Sequence, residues 1–592
     1  MNNKKLILIV ALMMFFAIKA EAGVLTIKKV AHNAVRIIYQ EGEDSNNLPD
    51  WLYVKHDEVD NCDVQIEVDN VSQKVTLKDK NGIIRFQATR HELQNGCATL
   101  TIQSPQDECL YGLGQFQDGY SNVRGLSRRL TQVNTQISLP MLLSSKGYGI
   151  LWNNYGLTEF NPCQQSVTLT KREGKSSQEV VNITTTEGGR QEIRERNIYE
   201  ATFEVAESGD YSLLLDVGQK MARRHNLTID DETVIEMQNL WLPPTASKIV
   251  HLEAGCHQLT AELAKGDVPV LYYNKVENQT VFRSPVAQAV DYTVFLGSAD
   301  EVIATYRELT GKAPVMPDWA LGYIHCRERF HSSQEILETA NRFKSEGMPI
   351  DVIVQDWQYW GKYGWNSMQF DEQFYPDPKA LTDSLHQMDI RLMVSVWSKI
   401  DKSSEVGKQM ERDSYYIPET DWIDFFNPEA ATAYWKNFKE RLLPLGIDAW
   451  WQDATEPEND DLVGRRVNNG KWTGEQVRNV YPLLVNKTVY EGLVEAGKKP
   501  MILTRCGFPG IQRYGSALWS GDVGNDWETF RRQITAGLGV QAAGHPWWTY
   551  DAGGFFRPQN QYTDSAYIER MLRWIETSVY LPLMRVHGYM SN

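Results

Sequence analysis

From Trp319 to its end the chain repeats one rhythm: a short apolar run, then a stretch of helical character. The runs span residues 320–326, 351–356, 391–397, 447–453, 501–505, 517–522, 545–551 and 581–587. Helix-like segments, among them 333–346, 378–388, 428–442 and 474–496, separate most of them. Several runs are apolar on both faces, as parallel strands covered on both sides require. Eight strand–helix repeats predict a (β/α)8 barrel over residues 313–592. A doubly wound open sheet is the alternative. Neither a G-x-G-x-x-G nor a phosphate-binding loop follows any run, which weakens a nucleotide-binding reading.

A chain of 592 residues exceeds what one hydrophobic core holds, and the texture before the barrel differs. Val24-Leu25-Thr26-Ile27, Ala34-Val35-Arg36-Ile37-Ile38-Tyr39 and Val64-Gln65-Ile66-Glu67-Val68 alternate apolar and polar residues between turns. That period predicts an antiparallel β-sandwich over residues 23–188. Near residue 190 the pattern changes, predicting a second, inserted β-sandwich over 189–280. Residues 281–312 then return to the first domain and lead into the barrel. The inserted pattern resembles the protective-antigen-like sandwich, a fold that often binds glycans. A structural spacer is the other reading.

The N-terminus carries an address. Asn2-Asn3-Lys4-Lys5 precedes an apolar stretch over residues 6–18, too short to span a bilayer, and Ala20-Glu21-Ala22 precedes Gly23. This predicts a signal peptide over residues 1–22 and a periplasmic or extracellular product with no membrane-spanning segment after cleavage. The net charge of −16 disfavours nucleic acid, which needs a basic face, while a neutral substrate is compatible with it. The seven cysteines show no C-x-x-C or zinc-type spacing and read as buried thiols. His331, His545 and the other histidines show no H-E-x-x-H or paired spacing, so no metal site is expected.

In a barrel, functional groups gather at the C-terminal ends of the strands. That rule selects Asp356, Trp397, Asp453, Arg505, Asp522, Asp551 and His587. Any one Asp there could be a helix N-cap. Four Asp with an Arg, a His and a Trp make a set that capping does not explain. Two segments stand out: Trp450-Trp451-Gln452-Asp453-Ala454-Thr455-Glu456-Pro457, and Leu518-Trp519-Ser520-Gly521-Asp522. Each sets a carboxylate at the end of a Trp-rich run. Two such carboxylates, flanked by flat apolar rings, are what glycoside hydrolysis needs. Glu456 reads equally as an orienting group or a loop acid, and Trp360 and Trp365 as a sugar subsite or core.

These segments resemble glycoside hydrolase family 31, the retaining α-glucosidase and α-xylosidase family. Trp451-Gln452-Asp453 with Glu456 is similar to its nucleophile motif, and Trp519-Ser520-Gly521-Asp522 to its acid/base motif. Tyr550-Asp551-Ala552-Gly553-Gly554-Phe555 and Met584-Arg585-Val586-His587-Gly588 match two further signatures. The resemblance implies that Asp453 is the nucleophile and Asp522 the acid, then the base. It implies that Arg505 binds substrate and supports the charges of the pair. Asp356, Asp551 and His587 would hydrogen-bond the hydroxyls of the terminal sugar, and Trp397, Trp451 and Trp519 would wall the pocket. No metal or organic cofactor is implied. Family members continue past the His587 signature, so a chain ending at Asn592 is expected to be a truncated product or fragment.

The expected function is that of a secreted retaining α-glycosidase on an oligosaccharide. α-Xylosidase on xyloglucan-type oligosaccharides comes first, from Val354-Gln355-Asp356-Trp357-Gln358-Tyr359-Trp360, Asp453-Ala454-Thr455-Glu456-Pro457 and the inserted unit. α-Glucosidase and transglycosylase are alternatives within the family. A glycan-binding protein without turnover is the alternative of another class.

Overall fold

The computed structural model describes residues 23–41, 48–69, 71–185, 188–458 and 462–589. The predicted signal peptide lies outside them. Among the described residues no helix is long and apolar enough to cross a membrane.

The N-terminal region forms two antiparallel sheets of six and seven strands. Val290–Leu296 returns from far along the chain to lie between Ala34–Gln40 and Tyr148–Trp152. One core fills the space between the sheets, with Trp152, Phe282, Tyr292 and Leu100 fully buried. This is the alternation seen in the sequence: inward residues are apolar, outward ones polar.

A second β unit interrupts the first. Its sheets order as Gln165–Thr168, Val270–Lys275, Gly209–Asp216, Thr245–Leu252, and as Thr170–Thr185, Gly188–Val205, Gly255–Ala264, Ala222–Ile229, Glu232–Leu242. It has its own core, including Leu213, Leu227, Leu259 and Leu263. The expected boundary at 188/189 is therefore corrected. It falls inside the hairpin of Thr170–Thr185 with Gly188–Val205, and the unit begins at Gln165. The hairpin's polar sequence, Lys171-Arg172-Glu173-Gly174-Lys175, hid a pair of strands that belong to the inserted unit.

Helix Ala299–Thr310, closed by a Ser298/Glu301 capping box, leads from the first unit toward the barrel. Eight parallel strands follow: β1 Tyr323–His325, β2 Val352–Gln355, β3 Arg391–Trp397, β4 Ala449–Asp453, β5 Ile502–Thr504, β6 Ser516–Trp519, β7 Trp548–Thr549 and β8 Met584–Val586. Neighbours pair in sequence, and β8 pairs with β1. A parallel bridge between Ala552 and Val586 closes the ring, which decides against the open sheet. Inward side chains, among them Ile324, Met393, Trp451, Leu503 and Trp519, pack one cluster inside the ring. Outward ones, such as Leu392, Val394 and Ile502, pack with the helices.

One repeat departs from the pattern. Between β5 and β6 there is no α-helix, only the 3₁₀ turn Ile511–Tyr514. Gly510 and Gly515 bracket it at φ +93° and +57°, left-handed positions that end a helix on either side.

Candidate active site

The strand-end rule brings most of the predicted residues together. Asp356 follows β2, Trp397 ends β3, Asp453 ends β4, Arg505 follows β5, and His587 follows β8. Asp522 lies just beyond β6. Six of the seven side chains that the rule selected, Asp356, Trp397, Asp453, Arg505, Asp522 and His587, line a single cavity of about 430 Å³, and Trp451 lines it with them.

Arg505 organises its floor. Its Nη1 lies 2.9 Å from Asp453 Oδ1 and 3.9 Å from Asp522 Oδ2. Its Nη2 donates to Glu456 and Glu458, each at 2.7 Å. A buried guanidinium thus carries the charge of several carboxylates, which its fork of donors allows and a lysine's point charge does not. The two distances from Nη1 together cap the gap between those oxygens of Asp453 and Asp522. The ceiling barely reaches the lower edge of the roughly 6.5–9.5 Å separation used for inversion.

The two acids have different surroundings. Asp453 Oδ1 also accepts from the Ala454 N–H at 2.7 Å, a bond made by the left-handed Ala454 at φ +51°. Among the described residues no donor reaches Asp453 Oδ2. Burial pushes Asp453 up to about 6, against the pull of Arg505. Burial raises Asp522 too, and Arg505 and Asn134 oppose it. Of the pair, Asp453 holds the direct ionic bond to Arg505, so the proton they compete for belongs on Asp522.

Asp522 is gripped from outside the barrel. Asn134 Nδ2 donates to its Oδ2 at 2.9 Å, and its own N–H donates to Asn134 Oδ1 at 3.1 Å. Asn239, on the inserted unit, donates to the Asp522 carbonyl at 2.7 Å. Leu240 and Trp241 of that unit line the cavity.

Across the cavity, Asp356 Oδ2 stands 4.0 Å from His587 Nε2, and its Oδ1 accepts from the Trp357 N–H at 2.9 Å. Burial holds Asp356 far above the usual carboxylate range, with Asp453 adding to it. Burial and Arg585 hold His587 neutral. Glu328, also on the wall, is pushed up to about 7 by burial.

Two predicted residues sit elsewhere. Asp551 is fully buried, is not on the cavity wall, and pairs with Arg585 through Oδ1. Trp519 is also fully buried, edge-on to Trp451 at 5.2 Å, with the Arg585 guanidinium over both indoles. It supports the wall rather than forming it. Its side chain points into the ring as Leu503 and Met393 do, and the site begins beyond the strand's last residue. Trp365 lines the cavity, whereas Trp360 packs in the core against Trp365 and Trp397.

Sequence reasoning left Glu456 open and gave no role to Glu458, Glu328 or Arg585. Glu456 is 4 % exposed and ion-paired, not a solvent-facing loop acid. An acid three places beyond a strand-end Asp, with Arg at the next strand end, is a signal that could have found it. Trp357, Trp422 and Lys399 of the wall had none beyond their residue types. Residues 459–461 of the acidic loop lie outside the described residues.

Residues 313–592 match the family described as glycosyl hydrolases family 31 TIM-barrel domain. An α-xylosidase of Saccharolobus solfataricus is 31% identical across 95% of this chain, and the chain spans 66%, just under two thirds, of that protein. An α-glucosidase of the same organism is 26% identical across 54% of the chain and 51% of its own length. The crystal structure of a family 31 α-xylosidase from Xanthomonas citri superposes with a TM-score of 0.81 at 25% identity, covering 97% of this chain and 73% of that one.

Proposed function

Because the chain belongs to glycoside hydrolase family 31, we propose that it removes terminal α-linked sugars by double displacement, α-xylose of xyloglucan-type oligosaccharides first among them. The observation that carries this reading is Arg505 Nη1, which reaches Asp453 and Asp522 together at the floor of an aromatic-walled cavity. Asp453 Oδ2 attacks the anomeric carbon while the bond to the leaving oxygen breaks. Asp522 gives that oxygen its proton. Asp453 loses its charge in the covalent glycosyl intermediate, and Asp522, now ionised, takes a proton from water. The resulting hydroxide character attacks the anomeric carbon and releases Asp453. Asp356 and His587 hold sugar hydroxyls; Trp397 and Trp451 supply flat faces.

The choice of xylose is supported by α-xylosidases similar to this chain, among them those of Saccharolobus solfataricus and Xanthomonas citri. Leu240 and Trp241 give the inserted unit a place beside the leaving portion of the substrate. Export rests on residues 1–22, and cell fractionation with and without them checks it.

The test is hydrolysis of p-nitrophenyl α-D-xyloside beside the α-D-glucoside, with Asp453→Ala as control. Faster xyloside release, abolished in the variant, is expected. Faster glucoside release would replace the substrate by glucose, in line with the similar α-glucosidase. Transfer of the sugar to an added acceptor instead of water would make the chain a transglycosylase.

A further inference from the structure

We propose that Asn134 is a positioning residue for Asp522, and that its amide favours one oxygen of the acid for the catalytic proton. The proposal rests on the assignment of Asp522 as acid and base.

The orientation of the Asn134 amide follows from its partners. The Asp522 N–H can only donate, so the atom it meets at 3.1 Å is Oδ1. Nδ2 then faces the carboxyl, 2.9 Å from Oδ2. An amide nitrogen only donates. Oδ2 must therefore accept, in the ionised acid and in the neutral one alike. A carbonyl oxygen accepts more strongly than a protonated one, so this bond favours the proton on Oδ1, which no donor engages among the described residues and which belongs to a residue on the cavity wall. The acid is loaded on the oxygen that meets the substrate, and the bond from Asn134 survives each proton transfer.

Asn134 is built to hold this place. It is buried, in the turn between Arg128–Leu130 and Ile137–Ser144. The next residue, Thr135, is left-handed at φ +73°, and Gln115 and Gln117 both donate to its carbonyl at 3.0 Å. Gln115 donates also to the Ser520 carbonyl at 3.1 Å, so one side chain ties the turn to the acid's own loop. Gly521 has φ +78°, and a Cβ there would sit 2.5 Å from Asn134 Oδ1 and 2.7 Å from the Thr135 nitrogen. The missing side chain before Asp522 is what lets the turn reach the acid.

The bond from Asn134 is stronger to a carboxylate than to a carboxylic acid, so it favours proton release against the effect of burial. Asn134→Ala should move the alkaline limb of kcat/KM upward by roughly one pH unit. It should also slow glycosides with poor leaving groups, such as alkyl glycosides, at least several-fold more than dinitrophenyl glycosides, because the proton is no longer favoured on Oδ1. Asn134→Asp keeps the side-chain volume and adds a second carboxyl that shares the proton, so its limb should move further. Asn239→Ala loses bonds to the Asp522 and Trp241 carbonyls and from the Leu240 N–H, none of them to the Asp522 carboxyl, and should leave the limb in place. Limbs unmoved in both Asn134 variants, with losses equal for all leaving groups, would make Asn134 merely structural. If Asp522→Ala itself kept the limb and the leaving-group dependence, the assignment of the acid would fall, and the proposal with it.

Discussion

The two carboxylates of the cavity are supported from opposite directions. Asp453 is held entirely by the barrel: by Arg505 at the end of the adjacent strand and by its own neighbour's N–H. Asp522 is held by two regions outside it, through Asn134 and Asn239. The partners differ in kind as well as in origin. A group that must be ionised to attack sits on a cation. A group that must change protonation twice in a turnover has its carboxyl bonded to the neutral amide of Asn134, with the Arg505 guanidinium farther off at 3.9 Å. A cation at direct contact with Asp522 would hold its proton off and cost the acid step.

The barrel half of this comparison breaks most completely at Arg505. Arg505→Met leaves Asp453, Glu456 and Glu458 without their shared cation in a buried site. A loss of about 3–5 kcal/mol in stability is expected from stranding a buried charge. A fall in kcat/KM of about 10³-fold or more should accompany it. Arg505→Lys should recover only part of both, because one ammonium cannot span the same acids. Thermal unfolding and initial rates check this together. A methionine variant as stable and as fast as the parent would remove the cation from the account.

The pH dependence sharpens the same half. Burial raises Asp453 to about 6 in spite of Arg505. The nucleophile works ionised, so kcat/KM should fall as pH drops through about 6, about tenfold per unit below it. Glu458→Gln takes away a negative neighbour of Asp453 and should move that acidic limb downward. A limb near the ordinary value of about 3.9 would mean that the guanidinium outweighs burial.

The outer half is tested more gently by Trp241→Ala. The indole lines the cavity from the inserted unit, with Arg223 over its ring at 4.8 Å. Loss of one stacking face predicts a KM raised about 3- to 10-fold for a long oligosaccharide. An aryl glycoside, which does not extend that far, should barely change. Equal effects on both would place Trp241 against the terminal sugar rather than the leaving portion.

The same division explains what could be read in the sequence. Barrel strands are short apolar runs, and a charged residue at the end of such a run has little other reason to be there. Asp356, Asp453, Arg505 and His587 were legible for that reason. Asn134 was not: it is one polar residue in a turn, and 388 positions separate it from the acid it holds. Asn239 and Trp241 were hidden similarly, since nothing local says that the end of strand Glu232–Leu242 meets a barrel loop. The start of the inserted unit was misplaced because its long hairpin is polar on both arms, so apolar alternation begins only after the unit is under way. The missing helix before β6 has a visible cause, two glycines bracketing a short turn.

Trp519 marks where the family resemblance overreached, and its replacement is the smallest effect of the set. The resemblance of Trp519-Ser520-Gly521-Asp522 to the family's acid/base motif implied a place on the wall. In the fold it is fully buried inside the ring, touching Trp451 edge-on at 5.2 Å. Trp519→Phe keeps a ring against Trp451 and leaves a gap where the second ring was. A cost of about 1–2 kcal/mol in stability follows from the lost packing. The cavity wall keeps Trp451 and Trp397, so kcat/KM should stay within about twofold, with the substrate preference unchanged. Trp451→Phe removes a face that does line the cavity and should lower kcat/KM more than Trp519→Phe while costing similar stability. The ratio of activity loss to stability loss in the two variants therefore separates the wall from its support. A Trp519 variant that kept its stability but lost its sugar preference would return that indole to the substrate.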